Sequence, residues 1–280
     1  MGALLRLARP LNAAMSAVGV LVGGWVALRG SGVAEAAFPL GLAAAAAAAF
    51  TAGGNALNDI YDRKSDAVNH PERPIPSGQR TVREATAFAT ASFLAAILLS
   101  AFVNPWCLAI TLSNALLMYS YESDLKAKGL RGNLGIAYLV GSLFLFAGFA
   151  AYRTPSPSQD PLWRAAVLAS LAFVTTVGRE IAKDIEDMAG DVDRRTLPQR
   201  IGPTRAGLVA TGAFVAGVVL SVVPWRLGLL GTGYGIVVLV ADGMFIYAAL
   251  YSAAQPGRSQ RVAKYGMIVA LVAFLAGGVA

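Results

Sequence analysis

Residues 36–66 read AAFPLGLAAAAAAAFTAGGNALNDIYDRKSD. From Ala36 to Asn58 the stretch carries no charge, and it is long enough to cross a hydrocarbon core, which takes about 20 apolar residues in a helix. Its end is the opposite. Asp59, Asp62 and Asp66 follow at spacing i, i+3, i+7, which predicts three carboxylates on one face of a helix as it leaves the membrane. Like charges so placed repel, so helix stability alone does not account for them. The spacing returns 125 residues later: Asp184, Asp187 and Asp191 lie in REIAKDIEDMAGDVDRRTLPQRIG (Arg179–Gly202). Two facing copies would enclose about six carboxylates, a cluster that requires cations, and hard oxygen donors favour Mg²⁺. Such a site commonly holds a phosphorylated ligand through the metal.

Working outward, the rest of the chain is of the same membrane type. It is 56% apolar with a mean hydropathy of +0.58, and 14% of residues are charged, against about 25% in soluble domains. Charge-free runs recur at Pro10–Leu28, Ala85–Tyr121, Gly132–Tyr152, Ala206–Trp225 and Tyr265–Ala280. The run Ala85–Tyr121 is long enough for two spans, and Asn104-Pro105 marks a turn between them. Two further spans are expected near Trp163–Arg179 and Leu227–Tyr251. The expected fold is an all-α integral membrane protein, a single polytopic domain over 1–280. About nine transmembrane helices would surround a central chamber opening to the Asp-rich helix ends. No cleavable signal peptide is evident. The single Cys107 excludes an intramolecular disulfide and a cysteine metal cluster, and it is expected to pack as a small apolar residue.

With nine spans, the N-terminus and four connections share one side and hold 19 of the 23 basic residues, leaving Arg29, Arg153, Arg164 and Arg226 opposite. The positive-inside rule makes the rich side cytoplasmic and the C-terminus external. This asymmetry accounts for the formal charge of +7 without a nucleic-acid partner. Both acid triplets fall on the cytoplasmic side.

Local signals around the triplets are consistent with helix ends. Gly53-Gly54 allows close helix approach. The prolines in Asn69–Gly78 (NHPERPIPSG) forbid a regular helix, and Thr81-Val-Arg-Glu84 is a capping box that starts the next span. A Pro-containing basic loop also follows the second triplet, so the order resembles a weak internal repeat. Asn55 and Asn58 precede Asp59 and Asp62 by four residues, and an amide oxygen beside carboxylates suits Mg²⁺. Arg63, Lys64 and Arg73 near the first triplet, and Lys183, Arg194 and Arg195 near the second, are candidates for diphosphate oxygens. A third segment, Tyr119–Asn133, brings Tyr119, Tyr121, Lys126, Lys128 and Arg131 to the same side. His70 reads as a turn residue. Asp242, inside an apolar span, is either functional or held by a structural hydrogen bond.

Together these residues resemble the UbiA superfamily of intramembrane prenyltransferases. Asn58-Asp59-x-x-Asp62-x-x-x-Asp66 is similar to its first aspartate-rich motif, and Asp187-x-x-x-Asp191, preceded by Lys183-Asp184, to its second. Arg9-Pro10-Leu11-Asn12 and the loop Arg73–Gly78 are also typical. Within the superfamily, Gly178–Asp191, Thr196–Gly202 and the Tyr-x-x-x-x-Leu-Lys segment running to Asn133 are similar to the archaeal digeranylgeranylglyceryl phosphate synthases. Ala189 departs from that branch, which often has an acid there.

The resemblance implies Mg²⁺-dependent transfer of a prenyl group from its diphosphate to a lipid glycerophosphate in the membrane, here to the free hydroxyl of geranylgeranylglyceryl phosphate. Asn58, Asp62 and Asp66 would bind one metal–diphosphate unit and Asp187 and Asp191 the other, with Asp59 and Asp184 in support. Asp62, Asp66, Asp187 and Asp191 would carry the catalysis. Asn12, Asn55, Arg63, Arg73, Tyr119, Asn133 and Lys183 are the expected substrate contacts. Lys126, helped by Lys128 or Arg131, would bind the acceptor phosphate. An aromatic acceptor is the first alternative. A divalent-cation transporter is the remote one, because transporters usually place ionisable groups near the midplane on broken helices.

Overall fold

The computed structural model describes residues 2–29, 32–152, 160–190 and 195–278, and these are all-helical apart from their connections. The elements are α1 (Gly2–Ala8), α2 (Pro10–Ala27), α3 (Val33–Tyr61), α4 (Arg63–Asn69), α5 (Val82–Val103), α6 (Pro105–Ser123), α7 (Leu130–Ala151), α8 (Asp160–Glu186), α9 (Leu197–Ile201), α10 (Pro203–Arg226), α11 (Thr232–Tyr251) and α12 (Pro256–Gly277). Single 3₁₀ turns follow α6 and α8, at Leu125–Ala127 and Asp187–Ala189. A 22-residue helix such as α5 rises about 33 Å, which matches the hydrocarbon thickness.

Among the described residues eight helices are long and apolar enough to span a membrane, α2, α3, α5, α7, α8, α10, α11 and α12, where the sequence leads us to expect about nine. The helix that falls short is α6, whose Ser113, Asn114, Ser120 and Glu122 lower its apolar content. It nevertheless runs between the same two ends of the bundle. Its cap residue Asn104 donates to Phe149 O (2.9 Å) at the end of α7, and its last turn reaches Asn58 at the end of α3. Asn104 also caps α6 by accepting from the Cys107 amide at 2.8 Å, so Asn104-Pro105 is the turn its sequence implied. Cys107 is fully buried.

Helix α3 packs against α2 and α5, α7 against α8, and α10 and α12 against α11. Small residues set these distances. A Cβ on Gly53 would stand 3.2 Å from Ala89 O, and one on Gly141 2.8 Å from Ala169 O, so each glycine lets two backbones meet. Outward faces carry exposed Phe102, Leu116, Leu239 and Leu250, as expected where lipid replaces water. Between the helices lies a chamber of about 430 Å³, within the range of small-molecule sites.

Candidate active site

The chamber's mouth lies at the bundle end where α3, α6 and α8 finish and α2 and α12 begin. The acids gather there, though not on unbroken helices. Helix α3 stops at Tyr61, and Asp62 (φ −83°, ψ 1°) is the junction from which α4 starts. Hydrogen bonds from Asp62 N to Asn58 O (2.8 Å) and from Asp66 N to Asp62 O (2.7 Å) carry the helical register across the break. The expectation of one continuous helical face is corrected accordingly. At the second motif α8 ends at Glu186 and tightens into the 3₁₀ turn containing Asp187. Asp191 and Arg194 lie outside the described residues.

A polar niche of about 30 Å³, room for about one water or ion, separates the two motifs. Asn58, Asp62 and Asp66 line one wall; Asp184, Asp187 and Lys183 line the other. The walls touch where Gly190 lies against the Asn69 side chain, with no space for a Cβ. Asn58, Tyr121, Glu180 and Lys183 line both the niche and the chamber, so the acids open directly onto the apolar space.

On the first wall each aspartate is held by a cation from another part of the chain. Arg9 pairs with Asp59 and donates to Asn58 Oδ1 (3.2 Å). It does so from a left-handed backbone (φ 48°), uncommon for a non-glycine residue and disfavoured before Pro10, strain that its contacts must offset. Arg73 donates to both oxygens of Asp66 at 2.6 Å and lies 3.7 Å from Asp59. Lys126 contacts Asp62 at 2.5 Å and Glu122 at 3.2 Å, over the ring of Tyr121. The Asn58 amide nitrogen donates to Asp62 and Glu122, both at 3.0 Å. Asn58 therefore turns its oxygen toward Arg9, where the sequence suggested an oxygen ligand for a metal. On the second wall Asn133 donates to Asp184 at 2.8 Å, and Lys183 and Arg73 are the basic side chains that share the niche with Asp187.

The niche thus gathers Asn58, Asp62, Asp66, Asp184, Asp187, Arg73, Lys126 and Lys183, as expected. Asn12 and Asn55 line the chamber. Other expectations are corrected. Asp59 is turned away into its arginine pairs, 1% exposed. Arg63 donates to Ile60 O at the surface, Lys128 pairs with exposed Asp124, and Tyr119 and Arg131 are exposed away from both cavities. Asn133 acts only through Asp184. The sequence reading had not assigned Arg9, Glu122, Arg179, Glu180 or Lys264 to the site, although all five line the chamber. Asp242 accepts a 2.8 Å bond from Ser221 deep in the same chamber.

Hard oxygen donors on both walls fit Mg²⁺ in chemistry. Among the described residues no three carboxylates or histidines converge on one point. That arrangement also fits, because Mg²⁺ typically takes one or two carboxylates, keeps several waters and shares substrate phosphates.

Comparison with known proteins agrees with this geometry. Residues 16–276 match the UbiA prenyltransferase family. A protein of Methanopyrus kandleri named digeranylgeranylglyceryl phosphate synthase is 42% identical over 281 residues, covering 99% of each chain. A solved structure described as giving structural and mechanistic insights into digeranylgeranylglyceryl phosphate synthase in membranes aligns with a TM-score of 0.75 at 31% identity, over 99% of this chain and 98% of its own. A UbiA homolog from Archaeoglobus fulgidus, solved with DMAPP and Mg²⁺ bound, shares the fold at a TM-score of 0.60 and 18% identity, over 96% and 99% of the two chains.

Proposed function

The chain belongs to the UbiA prenyltransferase family, and from that premise we propose that it transfers a geranylgeranyl group from geranylgeranyl diphosphate to the free hydroxyl of geranylgeranylglyceryl phosphate, forming the second ether bond of an archaeal membrane lipid. The observation that carries the reading is the junction of two cavities: a niche walled by two acid motifs, opening onto an apolar chamber inside a membrane bundle. Diphosphate chemistry needs the first, and a polyprenyl tail needs the second.

Asp62, Asp66 and Asp187 would hold Mg²⁺ together with Asp184; Asp191 is the further ligand that the second motif implies. Bound there, the metal supplies neutralisation of the charge that develops on the leaving diphosphate. Arg73 and Lys126, which here neutralise the acids, stand where they can pass their hydrogen bonds to diphosphate oxygens, and Lys183 faces the same space. When the allylic C–O bond breaks, the electron pair leaves with diphosphate; the acceptor hydroxyl oxygen attacks the cationic carbon, and its proton passes to the departing diphosphate. Phe50, Phe144 and Leu171 line the chamber below and exclude the water that would quench the cation. Asp59 serves as an anchor for Arg9 and Arg73.

The whole chain acts as one polytopic domain, with the N-terminus and acid motifs in the cytoplasm and the C-terminus outside. A cysteine at exposed Gln79 should then label only from the cytoplasmic face, since native Cys107 is buried. The activity is tested with purified protein, Mg²⁺ and labelled geranylgeranyl diphosphate, offering geranylgeranylglyceryl phosphate and 4-hydroxybenzoate separately. Metal-dependent label in a doubly alkylated glycerophosphate is the expected result. Label only in the aromatic product would move the enzyme to an aromatic acceptor.

A further inference from the structure

We propose that the phosphate of the acceptor lipid is bound on the chamber wall by Lys264 of α12, with Arg179 of α8 and Asn12 of α2, and not by the segment Lys126–Arg131. The acceptor's chemistry rests on the prenyltransferase reading above.

The segment first suspected is already occupied or turned away. Lys126 is shared between Asp62 and Glu122, Lys128 is paired at the surface, and Arg131 is exposed. Lys264 is in the opposite situation. It lines the chamber, and among the described residues no carboxylate lies within ion-pair distance of it; its hydrogen bond is a long one, 3.5 Å to Asn12 Oδ1. An ammonium inside an apolar span is costly, and when it faces an interior cavity without a counter-charge it marks a ligand site by default.

Its neighbours sharpen this reading. Arg179 and Arg9 line the same chamber, and both repel the Lys264 ammonium. Arg9 already shares Asp59, and Arg179 shares Glu180 at 2.6 Å; Lys183 is placed at the niche beside Asp187, which leaves Lys264 as the ammonium on the chamber side of this wall. Arg179 keeps a buried Nε with no hydrogen-bond partner. An anion here would relieve the repulsion and meet ammonium, guanidinium and amide donors together.

Depth separates this anion from the diphosphate. Lys264 lies eight residues, about 12 Å, beyond the start of α12, and Arg179 seven residues, about 10 Å, before the end of α8. Lys264, Arg179 and Asn12 line the chamber and not the niche, which they meet at Glu180. No aspartate of either motif pairs with Lys264 or Arg179 among the described residues. A phosphate monoester on a lipid tail that continues into the chamber is the ligand that meets both the charge and the depth.

The test compares two acceptors that differ only in the phosphate, geranylgeranylglyceryl phosphate and geranylgeranylglycerol, in wild type, Lys264→Ala and Lys264→Arg. Wild type should prefer the phosphate. In Lys264→Ala the KM for the phosphorylated acceptor should rise about ten- to a hundredfold, as for loss of a charged hydrogen bond. Its activity on the alcohol and its KM for the diphosphate should stay within about twofold, so the preference collapses; Lys264→Arg should restore it. An unchanged preference in Lys264→Ala, or an equal loss on both acceptors, overturns the assignment and leaves the enzyme reading intact. Wild type that alkylates neither acceptor overturns the enzyme reading and this assignment with it.

Discussion

The two acid motifs have the same spacing but are held by different partners. On the first, Asp59, Asp62 and Asp66 are each held by a basic side chain: Arg9, Lys126 and Arg73. On the second, an amide holds Asp184, and among the described residues Asp187 has no ion pair, with Lys183 beside it in the niche. Identical sequence spacing thus encodes two differently held acids: Asp66 is gripped by Arg73, while Asp187 makes no ion pair among the described residues. A divalent cation competes with resident cations at Asp62 and Asp66. The first motif's side chains are locked before any ligand arrives, which removes part of the ordering cost of binding.

Removing one acid from either wall should break the comparison at its root. Asp62→Ala or Asp187→Ala is expected to lower turnover by at least about a thousandfold, comparable to losing a principal charge-stabilising group. Single-turnover assays on protein that still purifies folded in detergent check this, and near-normal activity from either variant contradicts the shared site. Next in size is Arg73→Ala, which leaves Asp66, 4% exposed, without the Nη1 donor that both of its oxygens share. Breaking a buried pair costs about 3–5 kcal/mol of stability, and activity should fall about a hundredfold. Arg73→Lys should recover much of it, because a single guanidinium nitrogen, Nη1, makes both contacts and an ammonium can take its place. A thermal melt alongside the assay separates the two effects.

A finer test bears on the competition itself. Lys126→Ala removes a cation bound to Asp62, so the Mg²⁺ concentration for half-maximal activity should fall about three- to tenfold even as kcat drops about tenfold. A higher Mg²⁺ requirement would show that Lys126 assists the metal instead of opposing it. The smallest effect is expected from Asp242→Asn. The amide can keep the bond to Ser221 far from the niche, so activity should stay within about twofold, and a larger loss would give Asp242 a role in the chamber.

How far the sequence is legible follows the range of the interactions. Local signals read true: Thr81 and Glu84 form the reciprocal cap, Asn104 caps α6, and the prolines keep 70–80 out of a regular helix. The facing of the two motifs was also legible, because helical spacing fixes a face and basic loops fix a side. The break at Asp62 was not, since the i to i−4 hydrogen bonds continue through it and leave the acid periodicity intact. Partners from distant elements were least legible. Glu122 joins the site only because α6 ends beside Asn58, and Lys264 resembles any other positive-inside residue until the bundle turns it inward. For the same reason Lys128 and Arg131 looked equivalent to Lys126 in sequence, although only Lys126 points at an acid of the motif.

The central claim is that both walls hold one metal–diphosphate unit together. It is tested most directly by calorimetric binding of a non-ionisable thiolodiphosphate analogue of geranylgeranyl diphosphate, with and without Mg²⁺, to wild type, Asp62→Ala, Asp187→Ala and the double variant. The account predicts that each single substitution removes the Mg²⁺-dependent part of the affinity and that the double variant is no worse than either. Additive losses, or one single variant that binds as wild type does, would contradict a site shared between the two motifs.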